Sequence, residues 1–245
     1  MNLYWLEQVE ADVPKENDWL SSWETTRLSS LRFIKRRADW RLGRWTAKQA
    51  LAVCLNLGWD AHALASIEIR PMLSGAPEVF VNHARAPVSI SLSHREGRAI
   101  CAIARRDLKV GCDLETIETH SDAFIADYFT AEEQEMIASS SSHELDRNVS
   151  LLWSAKESAL KTLQEGLRLD TRAVIASFDC QSLNTEGWGV LEVRYGDQVF
   201  HGWWQETDHM VRTIVADAPS NAPILLPVTP IADRCCVPDF ATLVR

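Results

Sequence analysis

The sequence predicts an α+β fold with antiparallel sheets and packed helices. Three observations carry this reading. Helical and strand-like segments follow one another in mixed order in both halves of the 245-residue chain. Four short segments near 173–178, 188–195, 199–206 and 209–216 follow one another closely and read as an antiparallel meander. Neither half shows the regular strand–helix alternation of a doubly wound parallel sheet.

In chain order, a long helix is predicted over about 36–57, with Gly58 as its stop signal. Short strands follow near 66–70, 78–82 and 88–92, and the unbroken apolar run Ala99–Ala104 reads as a buried strand. Arg105-Arg106-Asp107-Leu108-Lys109 then turns the chain toward Val110, and a hairpin across this turn is expected to join the two halves. In Val110–Glu115, Val110, Cys112 and Leu114 alternate with Gly111, Asp113 and Glu115, so a strand places both carboxylates on one face. Thr130-Ala131-Glu132-Glu133 has the form of a capping box that opens a helix. A further helix carries Trp153–Lys161. At about 100° per residue, Leu152, Ala155, Ala159 and Leu163 gather on one face. Glu157 and Lys161 fall on the opposite, solvent-facing side at i and i+4. Lys156 lies at the edge of the apolar stripe. After Pro219 come four further prolines and no predicted element; this tail either packs back across the body or is loose. The expected division is 1–108, 109–218 and a tail 219–245. No linker rich in Gly or Ser divides the chain, apart from Ser139–Ser142, and no short-period repeat is present.

Composition narrows the class. With 46% hydrophobic and 24% charged residues the chain reads as globular. It has no apolar run of about 18 residues that would span a membrane. Met1–Leu20 carries Glu7, Glu10, Asp12, Glu16 and Asp18, unlike a signal peptide, which leads to the expectation of a cytoplasmic protein. Cys54, Cys101 and Cys112 sit in apolar strings and read as reduced core residues. Cys235-Cys236 lies in the tail without motif spacing. The histidines form no H-x-x-x-H array, so no zinc site is expected. Residues 27–48 hold eight basic side chains against Asp39, a net +7 within a chain of net −9. An acidic total argues against a nucleic-acid binder, whereas a compact basic segment suits a small polyanion or an acidic protein surface.

The chemistry lies in two strings. Val110-Gly111-Cys112-Asp113-Leu114-Glu115 and Trp153-Ser154-Ala155-Lys156-Glu157-Ser158-Ala159-Leu160-Lys161 together offer three carboxylates and two ammonium groups. Alone, a D-x-E is usually a solvated strand face and a Glu-x-x-x-Lys a surface ion pair. Brought together, three carboxylates repel one another unless a cation sits among them. Hard oxygen ligands suit Mg²⁺, which fills its shell with water and substrate phosphate. A lysine one turn away can hold a phosphate as a point charge.

The two strings resemble the signature motifs of the 4′-phosphopantetheinyl transferases, G-x-D-x-E and W-S-x-K-E-x-x-x-K. Ser89-Ile90-Ser91-Leu92-Ser93-His94 is similar to the family's Ser-x-Ser-His segment. Asp39-Trp40-Arg41-Leu42-Gly43-Arg44 falls where the family has a related pattern in an early basic helix. The motifs stand in family order, and the chain length suits the surfactin-type branch, in which one chain holds two similar α/β halves related by a pseudo-twofold axis. The resemblance implies a monomer that moves the 4′-phosphopantetheine arm of coenzyme A to a serine hydroxyl of an apo acyl- or peptidyl-carrier protein. The reaction would depend on Mg²⁺ and release 3′,5′-adenosine bisphosphate, with no nucleic acid or membrane partner. It further implies that Asp113, Glu115 and Glu157 hold the metal. Glu157 would take the serine proton, directly or through water, and Lys161 would contact the pyrophosphate. Lys156 would do the same or support its helix. Ser93 and His94 would bind the adenosine end, Arg27 and Arg41 are candidates for the 3′-phosphate, and the turn through Gly75 and Pro77 would approach the nucleotide. Gly75-Ala76-Pro77 lacks the lysine of the Gly-Lys-Pro found in many relatives. Trp153 would shape the site or fill the core. Two alternatives stand beside this: another Mg²⁺-dependent enzyme of nucleotide pyrophosphates, such as a hydrolase, which needs no acceptor; and a non-catalytic coenzyme A or carrier-binding protein. The presence of Asp113, Glu115, Glu157 and Lys161 disfavours the latter.

Overall fold

Two separate cores organise the chain, each formed where a long helix covers a face of an antiparallel sheet. The computed structural model describes residues 1–165 and 168–227, with the side chains of 180–182 excepted. One compact unit comprises Tyr4–Asp107 and the segment from Ile224; the other comprises Met1–Leu3 and Leu108–Pro223. The architecture is α+β with antiparallel pairing throughout, apart from one short parallel pair. Cys235 and Cys236 lie outside the described residues.

The unit that begins at Tyr4 contains β1 (Tyr4–Val9), α1 (Ser22–Ser30), α2 (Ile34–Cys54), α3 (Ala61–Ala65), β2 (Ile67–Pro71), β3 (Pro77–Val81), β4 (Ala84–Arg85), β5 (Val88–Arg95) and β6 (Arg98–Arg105). It is completed by β12 (Ile224–Leu225), giving the sheet order β12-β1-β6-β5 beside a small β2-β3-β4 sheet. Ala99–Ala104 is buried on both faces, which is why it reads as an unbroken apolar run. The long helix stops at Cys54, before the predicted Gly58. Leu55 closes it and Asn56 already has φ 52°, a left-handed conformation that ends the helical turn.

The other unit holds β7 (Val110–Thr116), α4 (Asp122–Tyr128), α5 (Ala131–Ala138), α6 (Leu145–Leu163), β8 (Val174–Leu183), β9 (Gly189–Tyr195), β10 (Gln198–Thr207) and β11 (Met210–Ala216). The predicted meander is present as β8–β11, and β7 closes the order β7-β11-β10-β9-β8. The expected hairpin across 105–109 does not form. β6 pairs with β1 and β5, whereas β7 pairs with β11 from Met210↔Thr116 to Ala216↔Val110. A long-range antiparallel partner displaces the sequence neighbour. The described start of the tail is also ordered by pairing: Tyr4↔Ile224 and Trp5↔Leu225 are in parallel register, and Leu226 is buried.

Each unit contains the same buried ionic knot. In the first, Ser21 and Glu24 form the capping box of α1. The Glu24 carboxylate lies 2.6 Å from the Lys48 ammonium, with both side chains wholly buried. Lys48 Nζ donates to the carbonyls of Trp19 and Leu64, and Glu24 accepts from the Ile69 N–H. In the second, Thr130 and Glu133 form the predicted capping box of α5. Glu133 lies 2.7 Å from Lys156, again wholly buried. Lys156 donates to the carbonyls of Thr171 and Val174, and Glu133 accepts from the Ala176 N–H. Burial pulls both ammonium groups below their ordinary range and the paired carboxylates oppose the shift. Such pairs satisfy every strong donor they bury and tie three elements to one point. The helices that carry them share a string: Trp45-Thr46-Ala47-Lys48-Gln49 and Trp153-Ser154-Ala155-Lys156-Glu157.

Candidate active site

β7 and α6 approach closely because both present little volume to each other. Along α6, Ser154, Ser158 and Thr162 form a face of small hydroxyl residues at i, i+4 and i+8. The Ser154 and Ser158 hydroxyls lie 2.9 and 2.7 Å from the Thr213 hydroxyl of β11, and Thr162 donates to the Val215 carbonyl at 3.1 Å. A Cβ at Gly111 would lie 1.9 Å from the Ser158 carbonyl oxygen and 2.6 Å from the Thr162 hydroxyl. The glycine of the Gly-Cys-Asp-Leu-Glu string is therefore a spacing requirement, since real Cβ atoms do not approach so closely. Gly111→Ala is expected to push β7 off α6, lowering the melting temperature by several degrees and disrupting Asp113 at the same time. Retention of wild-type stability in thermal unfolding would show that the two elements are not locked.

This contact sets the charged groups. Lys161 Nζ donates to Asp113 Oδ1 at 2.7 Å and to the Cys112 carbonyl at 3.0 Å. Burial alone would lower the Lys161 ammonium; Asp113 chiefly outweighs it and holds the group above its ordinary range. Burial raises the Glu157 carboxyl, the Asp113 charge adds to the rise, and Lys161 opposes it. Glu157 and Lys161 are thus half-buried against β7 rather than solvent-facing. The cation expected among the carboxylates is supplied in part by the chain itself. Glu115 is half-buried farther along the same strand. No cluster of three or more His, Cys, Asp or Glu side chains arranged to hold a metal occurs among the described residues. The hard oxygens of Asp113 and Glu157, whose charges repel one another, match the chemistry of a divalent cation.

Lys156 is wholly buried in the knot with Glu133, an arrangement that favours support of its helix. Trp153, one turn before Glu157, is half-buried, meets Phe124 and Tyr128 edge-on at 5.2 Å each, and packs against the core of this unit.

In the unit that begins at Tyr4, Ser93 and His94 at the end of β5 line a cleft of about 360 Å³ together with Leu92 and with Arg36, Asp39, Trp40, Gly43 and Arg44 of α2. Arg44 lies over the Trp40 ring at 4.9 Å and 3.7 Å from Glu24. Burial lowers its guanidinium, Glu24 opposes the shift, and nearby Arg27 adds to the lowering. An anion entering the cleft would relieve that cost. Arg41 does not line the cleft. It donates to Asn17 Oδ1 at 2.9 Å and to the carbonyls of Pro14, Lys15 and Glu16, bracing the loop that precedes α1. Arg27 is exposed and reaches the Ser30 hydroxyl at 3.4 Å. Gly75, at φ 92°, makes the turn between β2 and β3, and Pro77 opens β3 opposite Pro71; neither lines the cleft.

A comparison with protein families bears on the second unit. Residues 109–218 match the 4′-phosphopantetheinyl transferase superfamily (ACPS). No curated protein matches the chain. The matched segment spans β7 to β11 and contains Asp113, Glu115, Glu157 and Lys161. Similarity to this superfamily supports phosphopantetheine transfer in general. The cleft residues lie outside the matched segment. Arg36, Trp40 and Arg44 were not singled out as binding residues by the sequence reading. Their i, i+4, i+8 spacing, which puts one aromatic between two arginines on a single helix face, is the signal that could have found them. No helix among the described residues is long and apolar enough to cross a membrane.

Proposed function

We propose that the protein is a Mg²⁺-dependent 4′-phosphopantetheinyl transferase of the surfactin type. It moves the arm of coenzyme A to a serine hydroxyl of an apo acyl- or peptidyl-carrier protein and releases 3′,5′-adenosine bisphosphate. The observation that carries this is the Lys161–Asp113 bond beside Glu157 on a superfamily domain. In this reading Glu157 accepts the proton of the incoming serine, whose oxygen attacks the phosphorus bearing the pantetheine arm. The bond from that phosphorus to the bridging oxygen breaks, and Lys161 offsets charge on the leaving phosphate. Asp113, Glu115 and Glu157 would hold Mg²⁺, which supplies Lewis-acid polarisation of the pyrophosphate when bound. Arg36, Arg44, Ser93 and His94 are assigned the nucleotide end of coenzyme A; Arg27, Arg41, Gly75 and Pro77 do not line that cleft.

The repeated knot and the repeated Trp-[Thr/Ser]-Ala-Lys string favour two related halves and hence a monomer, in keeping with a cytoplasmic enzyme. The first copy carries Gln49 and Val53 where the second carries Glu157 and Lys161, so the transfer chemistry is assigned to the second copy alone.

Intact-mass analysis of apo carrier proteins after incubation with coenzyme A and Mg²⁺ tests the proposal. The expected result is a gain of one phosphopantetheine that chelation abolishes; cleavage of coenzyme A without any carrier would establish the hydrolase instead. Arg44→Ala is expected to raise the KM for coenzyme A roughly tenfold or more, as loss of one charge-assisted bond implies. Dephospho-coenzyme A should be less affected. Equal losses with both donors would remove the 3′-phosphate from the Arg44 position.

A further inference from the structure

The structure divides the basic segment into two surfaces. Arg36 and Arg44 line the cleft, whereas Arg32, Lys35 and Arg37 do not. Those three, with Phe33 and Ile34, form a continuous exposed ridge where α1 passes into α2. Phe33 and Ile34 are 72% and 86% exposed, the most open adjacent pair of large apolar side chains among the described residues. Phe33 also occupies the N-cap of α2 with no side-chain cap, a position where Ser, Thr, Asp or Asn would stabilise the helix. Two bulky apolar groups in water at a cap, ringed by cations, match the core-and-rim pattern of a protein interface.

We propose that the ridge Arg32–Arg37 docks the acceptor: a small acidic carrier domain that presents apolar side chains between carboxylates. The proposal rests on the transferase reading. Charge complementarity selects this occupant. Residues 27–48 are +7 in a chain of −9, so the rest of the chain carries −16. A small acidic partner confined to the ridge meets the cations and avoids that repulsion, whereas an extended anionic membrane or a second acidic copy of the chain would meet both. Phe33 and Ile34 would then supply the desolvated anchor, and Lys35, Arg37 and Arg32 the steering rim.

The test uses the full chain, a panel of acidic apo carrier domains, and two double variants, Phe33→Ser with Ile34→Ser and Lys35→Glu with Arg37→Glu. All four side chains are exposed. Carrier binding is measured by calorimetry at low and high salt, beside coenzyme A binding and intact-mass labelling. Each double variant is expected to weaken carrier binding about tenfold or more, as loss of an interface anchor or reversal of rim charge implies. The charge variant should also flatten the salt dependence, and both should leave coenzyme A binding unchanged. Labelling by the wild type with carrier affinity untouched in both variants overturns the docking surface and leaves the transferase reading standing. Carrier binding lost in the variants, with no mass gain by wild type, overturns the transferase reading and leaves the surface. Neither binding nor labelling by wild type overturns both. Loss of binding to phosphatidylserine-containing vesicles, or of self-association, without loss of carrier binding assigns the ridge to another partner and also overturns the proposal.

Discussion

Glu157→Gln is expected to slow single-turnover labelling of a carrier protein by about 10²- to 10⁴-fold, the usual weight of a positioned proton acceptor. Coenzyme A affinity should change far less. The amide keeps the shape and one oxygen but loses charge and basicity, so the loss falls on turnover. The same variant should melt no lower than wild type when no metal is added. Glu157 is half-buried and repelled by Asp113, and an amide removes that repulsion. Labelling at the wild-type rate would take Glu157 out of the chemistry. A steep fall in melting temperature would instead make it a structural partner of Lys161.

The second large effect is structural. Lys156→Ala is expected to destabilise the protein by roughly 3–5 kcal/mol, because it strands a wholly buried Glu133 carboxylate and two carbonyls. Lys48→Ala should cost a similar amount through Glu24, Trp19 and Leu64. Lys156→Met combined with Glu133→Gln should recover part of the loss, since no charge is left buried and the amide oxygen can still accept from Ala176. Urea unfolding of the metal-free protein measures all three. A Lys156→Ala protein as stable as wild type but inactive would return Lys156 to the phosphate.

The closeness of Asp113 to Lys161 was legible for physical reasons. Asp113, Glu157 and Lys161 are charges at strand and helix periods, and their types stand out against apolar neighbours. Gly111 stood in the string, but the carbonyl of Ser158 that makes it necessary is a long-range contact invisible to local pattern. The hydroxyl face of α6 was missed because Ser and Thr read as neutral in a helix, although here they let two backbones approach. The related string Trp45–Gln49 lacks the acidic and basic residues that draw attention in Trp153–Lys161, so the correspondence became visible only when Lys48 and Lys156 proved to lie in identical knots. β1 was passed over because its acids invited a reading about targeting. The hairpin at 105–109 failed because chain proximity favours a pairing only when no better partner exists, and β11 offers seven residues in register.

The exchange of chain ends has a consequence for how the molecule is made. β1 leaves the ribosome first among the described strands, and its edge partner β12 leaves last. Until then β1 has an open edge, and Leu226 cannot fill its place in the first core. At about 5–20 residues per second, some ten seconds or more separate the two strands in synthesis. The first half therefore emerges early but completes late, with an exposed strand edge available to other chains in the interval. A circular permutation in which β12 is synthesised before β1 would close that interval and should raise the yield of folded protein at high expression.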